Sequence, residues 1–201
     1  VLLYLQAHRA FRALFGSVAV TLAAWWFSGT FLPLPQLLQG RASPVAAELL
    51  FTTLFAPLTA YAFGGVVLRL EQLSRRRLWR QDLALAGIIL LPVAVAAVTA
   101  VGIGAPGLAA TMVRNAAVFV GIALLMLTFV GESAAVGVPI AYFLLMSTVG
   151  ARADGSAHWW AGFRAEAEPL SISIGITLFI LGITLFPGHA RNRVAKRGVT
   201  G

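Results

Sequence analysis

Long apolar blocks alternate with short polar stretches along most of the chain. The blocks fall at about residues 14–32, 45–68, 83–101, 108–130, 134–149 and 170–186. Most reach or approach the roughly 20 residues that an α-helix needs to cross a bilayer. The pattern predicts an all-α polytopic membrane protein with about six transmembrane helices, built as a single transmembrane domain over residues 1–201.

The polar punctuation between the blocks refines this picture. In residues 1–17, Tyr4, Ala7, Phe11, Leu14 and Phe15 share one helical face, continued by Val18, and His8, Arg9 and Arg12 lie on the other. This spacing suits a helix lying in the membrane interface. The same residues also suit the front end of a long first span, so both readings stay open. Pro33 and Pro35 end the first block, and residues 33–44 read as an external loop. Pro57 should loosen the second block, while Gly64 and Gly65 admit a close neighbour. Pro92 removes an amide from the middle of the third, and the carbonyl it frees must find protein, water or local distortion. Residues 102–107 form a tight turn. Gly131, Glu132 and Ser133 are read as a turn between the fourth and fifth spans; a helical break within the membrane is the alternative. Pro139 should bend the fifth span. Pro187 and Gly188 are expected to terminate the sixth. Pro57, Pro92 and Pro139 have different surroundings, so they do not mark an internal repeat.

Composition agrees with burial in lipid. Hydrophobic residues make up 59% of the chain and charged residues 11%, against about 25% charged in a typical soluble domain. Mean hydropathy is +0.87. The first apolar block is long and more spans follow, so it should stay as a helix rather than act as a cleaved signal. With no cysteine, disulfides, thiolate nucleophiles and cysteine metal sites are excluded.

The net charge of +8 would suggest nucleic acid in a soluble protein, but here the cations lie beside the spans, where anionic lipid attracts them. No nucleic-acid partner is expected. Residues 69–82 carry five arginines: Arg69, Arg75, Arg76, Arg77 and Arg80. A basic island between two apolar blocks reads as a cytoplasmic loop. With six spans, this loop, Arg9, Arg12 and the tail cations Arg191, Arg193, Lys196 and Arg197 share one side, eleven cations against four opposite. A multi-pass protein of the cell membrane with both termini cytoplasmic is the expectation.

Candidate chemistry is sparse. His8, His158 and His189 have no neighbours at metal-ligand spacing. No nucleophile elbow or phosphate-binding glycine loop is present. The closest polar set is Asp154, His158, Arg164, Glu166 and Glu168 in residues 150–169, where Trp159, Trp160 and Phe163 could dip into the interface. No catalytic residue, cofactor or metal is assigned, and the chain is not expected to be an enzyme. Arg114 stands out, because a charge on an apolar helix must snorkel, pair or line water. It either pairs internally or rims a cavity with Asn115 and Glu48, or snorkels to the headgroups. Glu132 either meets a cytoplasmic partner or opens a helix next to Ser133. Glu71 and Asp82 read as local ion partners of the arginines.

The layout of residues 1–17, residues 69–82 and residues 150–169 around about six spans resembles the membrane (permease) subunit of a bacterial ABC-2-type (type V) ABC transporter. The resemblance is one of layout over the whole chain. It implies an interfacial helix before the first span and a short cytoplasmic helix between spans two and three that docks on an ATPase. It also implies short re-entrant helices before the last span. ATP hydrolysis would come from separate cytoplasmic ATPase subunits, and the export path would need a second permease half, identical or related. Arg75, Arg76, Arg77, Trp79 and Glu132 are the expected docking residues. Arg114, Asn115 and Glu48 are the expected path or pairing residues.

Overall fold

The structure, a computed structural model, describes residues 9–36, 41–64, 79–150, 161 and 167–197. In chain order its elements are α1 (Ala10–Trp26), β1 (Phe31–Gln36), β2 (Arg41–Ala46), α2 (Ala47–Thr53) and α3 (Phe55–Phe63). They continue with α4 (Trp79–Gly102), α5 (Pro106–Phe129), α6 (Glu132–Val149) and α7 (Pro169–Arg197). The last four helices each carry a segment long and apolar enough to cross a membrane. The chain is therefore a membrane-embedded, mainly helical protein.

Helix α5 is the axis of the bundle. The apolar window of α5 is 72% buried, whereas those of α4, α6 and α7 are each 28% buried. α5 packs on α2, α3, α4, α6 and α7. Its closest neighbour is α7. Gly121 lies against the backbone of Leu178 and Phe179, and Gly182 lies against Gly121 and Leu124. Gly175 lies against the Arg114 carbonyl. These pairings advance together along both helices, so α5 and α7 run parallel. Small residues let two backbones approach where lipid supplies no hydrophobic driving force between helices.

Parallel neighbours require a return path, and α6 supplies it. α5 ends at Phe129, and Gly131 at φ 139° turns the chain. The two helices are thus separate, with the turn at Val130 and Gly131, and Glu132 and Ser133 already belong to α6. Glu132 opens α6 beside Gly64, at the end of α3, and α6 also packs on β1. The bundle has a hairpin end, capped by β1 and β2, and an opposite end marked by Arg9, Gly64 and Glu132, called here the arginine end.

Several boundaries differ from the sequence pattern. Residues 10–17 continue without a break into the rest of α1, so over the described residues the surface helix and the first span are one helix; residues 1–8 lie outside them. α1 stops at Trp26 rather than near residue 32. The chain then turns at Gly29, whose φ is 78°, into an antiparallel hairpin in which Phe31 pairs with Ala46 and Pro33 with Pro44. Prolines are tolerated because each strand of a two-stranded ribbon is an edge. The second block splits at Leu54 into α2 and α3. Pro57 falls in the first turn of α3, where its missing amide costs little, so the interruption precedes it. Of the short helix expected over residues 69–82, residues 79–82 form the first turn of α4 and residues 69–78 lie outside the described residues. The re-entrant helices expected in residues 150–169 likewise fall almost wholly outside them.

Pro92 lies inside α4. Across the interface, the Ser17 hydroxyl of α1 donates to the Ile89 carbonyl in the turn that Pro92 loosens. Pro187 does not stop the last helix: α7 continues through it to Arg197. Proline removes one amide and crowds one carbonyl, a disturbance most easily absorbed near the end of a span.

Candidate functional site

Four elements bring polar groups together at the hairpin end around Arg114. α5 supplies Arg114 and Asn115, α2 supplies Glu48 in its first turn, and α6 supplies Tyr142. Ser171 comes from the first turn of α7, and Glu168 from just before it. Arg114 is 0% exposed. Its Nε donates to Asn115 Oδ1 at 3.0 Å, and its Nη1 donates to Ser171 Oγ at 3.3 Å. Ser171 Oγ in turn donates to the Glu168 carbonyl at 2.9 Å. Glu48, Tyr142 and Glu168 lie within electrostatic reach of the guanidinium.

A snorkelling arginine would carry its head to the surface. Arg114 instead pairs inside the bundle, which makes a buried cation tolerable. Gly175 is part of the arrangement, because a methyl group there would meet the Arg114 carbonyl at 3.1 Å. The cluster can hold a charge in place and tie four helices together. It contains no nucleophile and base pair. Among the described residues no group of three or more His, Asp or Glu gathers to hold a metal ion.

The expected docking residues separate from this cluster. Arg75, Arg76 and Arg77 lie outside the described residues, and Trp79 opens α4. Glu132 is exposed at the arginine end, far along the bundle from Arg114. A methyl at Gly64 would meet its carboxyl carbon at 2.9 Å. As the first residue of α6, Glu132 also complements the positive end of that helix.

Sequence reasoning missed Ser171, Tyr142 and Tyr61. Ser171, Gly175 and Gly182 share one face of the last span at small-residue spacing, a signal that could have singled out this seam. Tyr61 on α3 takes the Arg9 guanidinium over its ring, 4.6 Å from the centroid, and its hydroxyl oxygen accepts from Arg12 Nη1 at 3.4 Å. Thr21 lines an open apolar groove of about 440 Å³ between α1 and α4, with Leu14, Leu22, Trp25, Leu91 and Val95 among its walls. Its buried hydroxyl has no hydrogen-bond partner among the described residues. No protein-family model, curated protein or solved structure matches the chain.

Proposed function

We propose that the chain is the transmembrane subunit of an ATP-driven export complex whose ATPase resides on a separate cytoplasmic subunit. In this reading α1 and the α2–α3 unit also cross the membrane, giving six spans. Glu48 shares a level with Arg114, and Gly64 shares a level with Glu132. At about 1.5 Å per residue, α2–α3 then rises roughly 24 Å from Glu48 to Gly64, close to the roughly 23 Å that α5 rises from Arg114 to its end at Phe129. The arginine end faces the cytoplasm, as the bias of Arg9, Arg12 and residues 69–80 requires, and the membrane is the cell membrane.

The observation that carries the reading is the contact between Gly64 and Glu132. Gly64 is the last described residue before the basic loop, and α4 begins just after that loop. The loop root and the turn between α5 and α6 therefore share one end of the bundle. A partner seated there on Arg75, Arg76, Arg77, Trp79 and Glu132 would push on α3, α4 and α6 together. A second permease half would complete the path, and anionic lipid would surround the arginine end. The test is to purify the chain from its native membrane, identify an ATPase that co-purifies, and replace Arg75, Arg76 and Arg77 with Gln and Glu132 with Lys in cells that express both. Export should fall while membrane insertion and ATPase assembly on the wild-type copy persist. Unchanged export by well-inserted variants would overturn the reading.

A second reading, a membrane scaffold or accessory subunit without a path, is favoured by the glycine-lined α5–α7 seam and the enclosed Arg114. Both are devices of static packing. Single cysteines at Val118 and Ala123 discriminate the two: labelling that changes with ATP in the native complex supports export, and invariant protection supports the scaffold.

A further inference from the structure

We propose that Arg9, Arg12 and Tyr61 form a binding site for the phosphodiester of an anionic phospholipid at the arginine end. Arg9 and Arg12 stand one helical turn apart at the start of α1, and both turn onto one tyrosine of α3. Arg9 does so from a left-handed backbone conformation, φ 54° and ψ 30°, which non-glycine residues adopt infrequently. The Tyr61 ring holds one guanidinium at 4.6 Å and its hydroxyl holds the other at 3.4 Å. Two like charges thus converge on a neutral template. Among the described residues neither forms an ion pair with a carboxylate. A phosphate oxygen pair matches two guanidinium groups in charge and geometry.

The flanking surface favours a lipid over a free anion. Phe11 and Phe15 are 58% and 73% exposed beside Arg12, and Leu22 and Trp26 extend the same apolar stripe along α1. Arginine above and exposed apolar side chains below is the order in which a phospholipid presents headgroup and acyl chain. The proposal rests on membrane embedding and not on export, so it stands or falls apart from the transport reading.

The test uses the full chain in detergent micelles, with retained lipid read by native mass spectrometry after addition of phosphatidylglycerol or phosphatidylcholine. Wild-type protein should retain phosphatidylglycerol in preference. Arg12→Gln should reduce that preference about fivefold, and Arg9→Gln with Arg12→Gln roughly thirtyfold, at about one surface cation's worth each. Tyr61→Leu keeps both charges and should still remove most of the preference. An unchanged preference in monodisperse Tyr61→Leu protein would overturn the site, since diffuse charge would then suffice. Equal retention of phosphatidylcholine would overturn it as well. Complete displacement of phosphatidylglycerol by millimolar inorganic phosphate would overturn the lipid assignment and leave a free-anion site.

Discussion

The α5–α7 seam predicts a graded series of glycine substitutions. A methyl at Gly121 would meet the Leu178 carbonyl carbon at 2.6 Å and the Phe179 amide nitrogen at 2.7 Å. Both belong to the partner backbone, so no rotamer change can relieve the clash. Comfortable carbon contacts lie at about 3.5–4.0 Å, so the helices must part by roughly 1 Å. Overpacking of this kind costs about 1–3 kcal/mol, set against about 1 kcal/mol gained by replacing a helical glycine with alanine. Gly121→Ala should destabilise by up to about 2 kcal/mol. Gly182→Ala, with nearest atoms at 2.9 and 3.0 Å, should be milder. Gly175→Ala, at 3.1 Å from the Arg114 carbonyl, should lie near zero. Gly137→Ala on α6 meets nothing within 4 Å and should stabilise by up to about 1 kcal/mol. Reversible denaturant unfolding in micelles measures all four. The same separation would stretch the 3.3 Å bond from Arg114 to Ser171 past the hydrogen-bond limit. A Gly121→Ala protein as stable as wild type, or a Gly137→Ala protein as damaged as Gly121→Ala, would refute the seam as the close contact of the bundle.

Arg114→Met should destabilise the bundle by about 3 kcal/mol, because partners shaped around a buried cation lose it. Adding Glu48→Gln should recover part of that loss, and a double-mutant cycle in the same unfolding assay reads the coupling. Thr21→Val should stabilise by roughly 1 kcal/mol, since it removes a buried hydroxyl that pairs with nothing among the described residues. A rise in thermal midpoint checks it. Ser17→Ala should cost about 1 kcal/mol by removing the donor to the Ile89 carbonyl. Amide exchange around Pro92 should quicken in that variant while exchange in α5 stays as in wild type.

The apolar blocks were legible because a bilayer demands length and little else. The four helices from α4 to α7 lie close to the runs that hydropathy picks out, and the impossibility of one straight span through both runs required an interruption near residues 131–133 without saying whether it was a turn or a break. The ends were less legible. Residues 31–46 pair as strands although Pro33, Pro35 and Pro44 argue for a loop, because hairpin pairing depends on a partner strand that local propensity does not contain. Leu54 interrupts the second block where no proline or glycine stands. The interruption places a new first turn under Pro57, so the proline explains the break only once the helix start is known. Arg114 was legible as an anomaly, but its resolution was not. Snorkelling and pairing differ only in what surrounds the helix, and that is a property of the packed bundle. Thr21 shows the same limit. Thr52, Thr53, Thr59, Thr128 and Thr184 each return a hydroxyl to a carbonyl of their own helix, and nothing in the local sequence sets Thr21 apart from them.

Helix α5 organises the bundle, and its place there decides what can surround Arg114. On the enclosed face of α5 a long cation has no route to the headgroups, so the partners of Arg114 must come from the helices packed around it. α2 brings Glu48, α6 brings Tyr142 and α7 brings Ser171. A slip of α7 by one turn, about 5.4 Å, would carry Ser171 away and set Gly175 or Ile174 in its place. One guanidinium N–H would then lose its acceptor in an apolar setting, at a cost of about 1–3 kcal/mol or more. The same slip would move Leu178 and Gly182 off Gly121 and drive side chains against a backbone that only glycine admits. Polar pairing and steric fit therefore specify one register of α5 against α7 independently. The charge and the glycines thus act on the same pair of helices, and each rejects a displacement that the other rejects too.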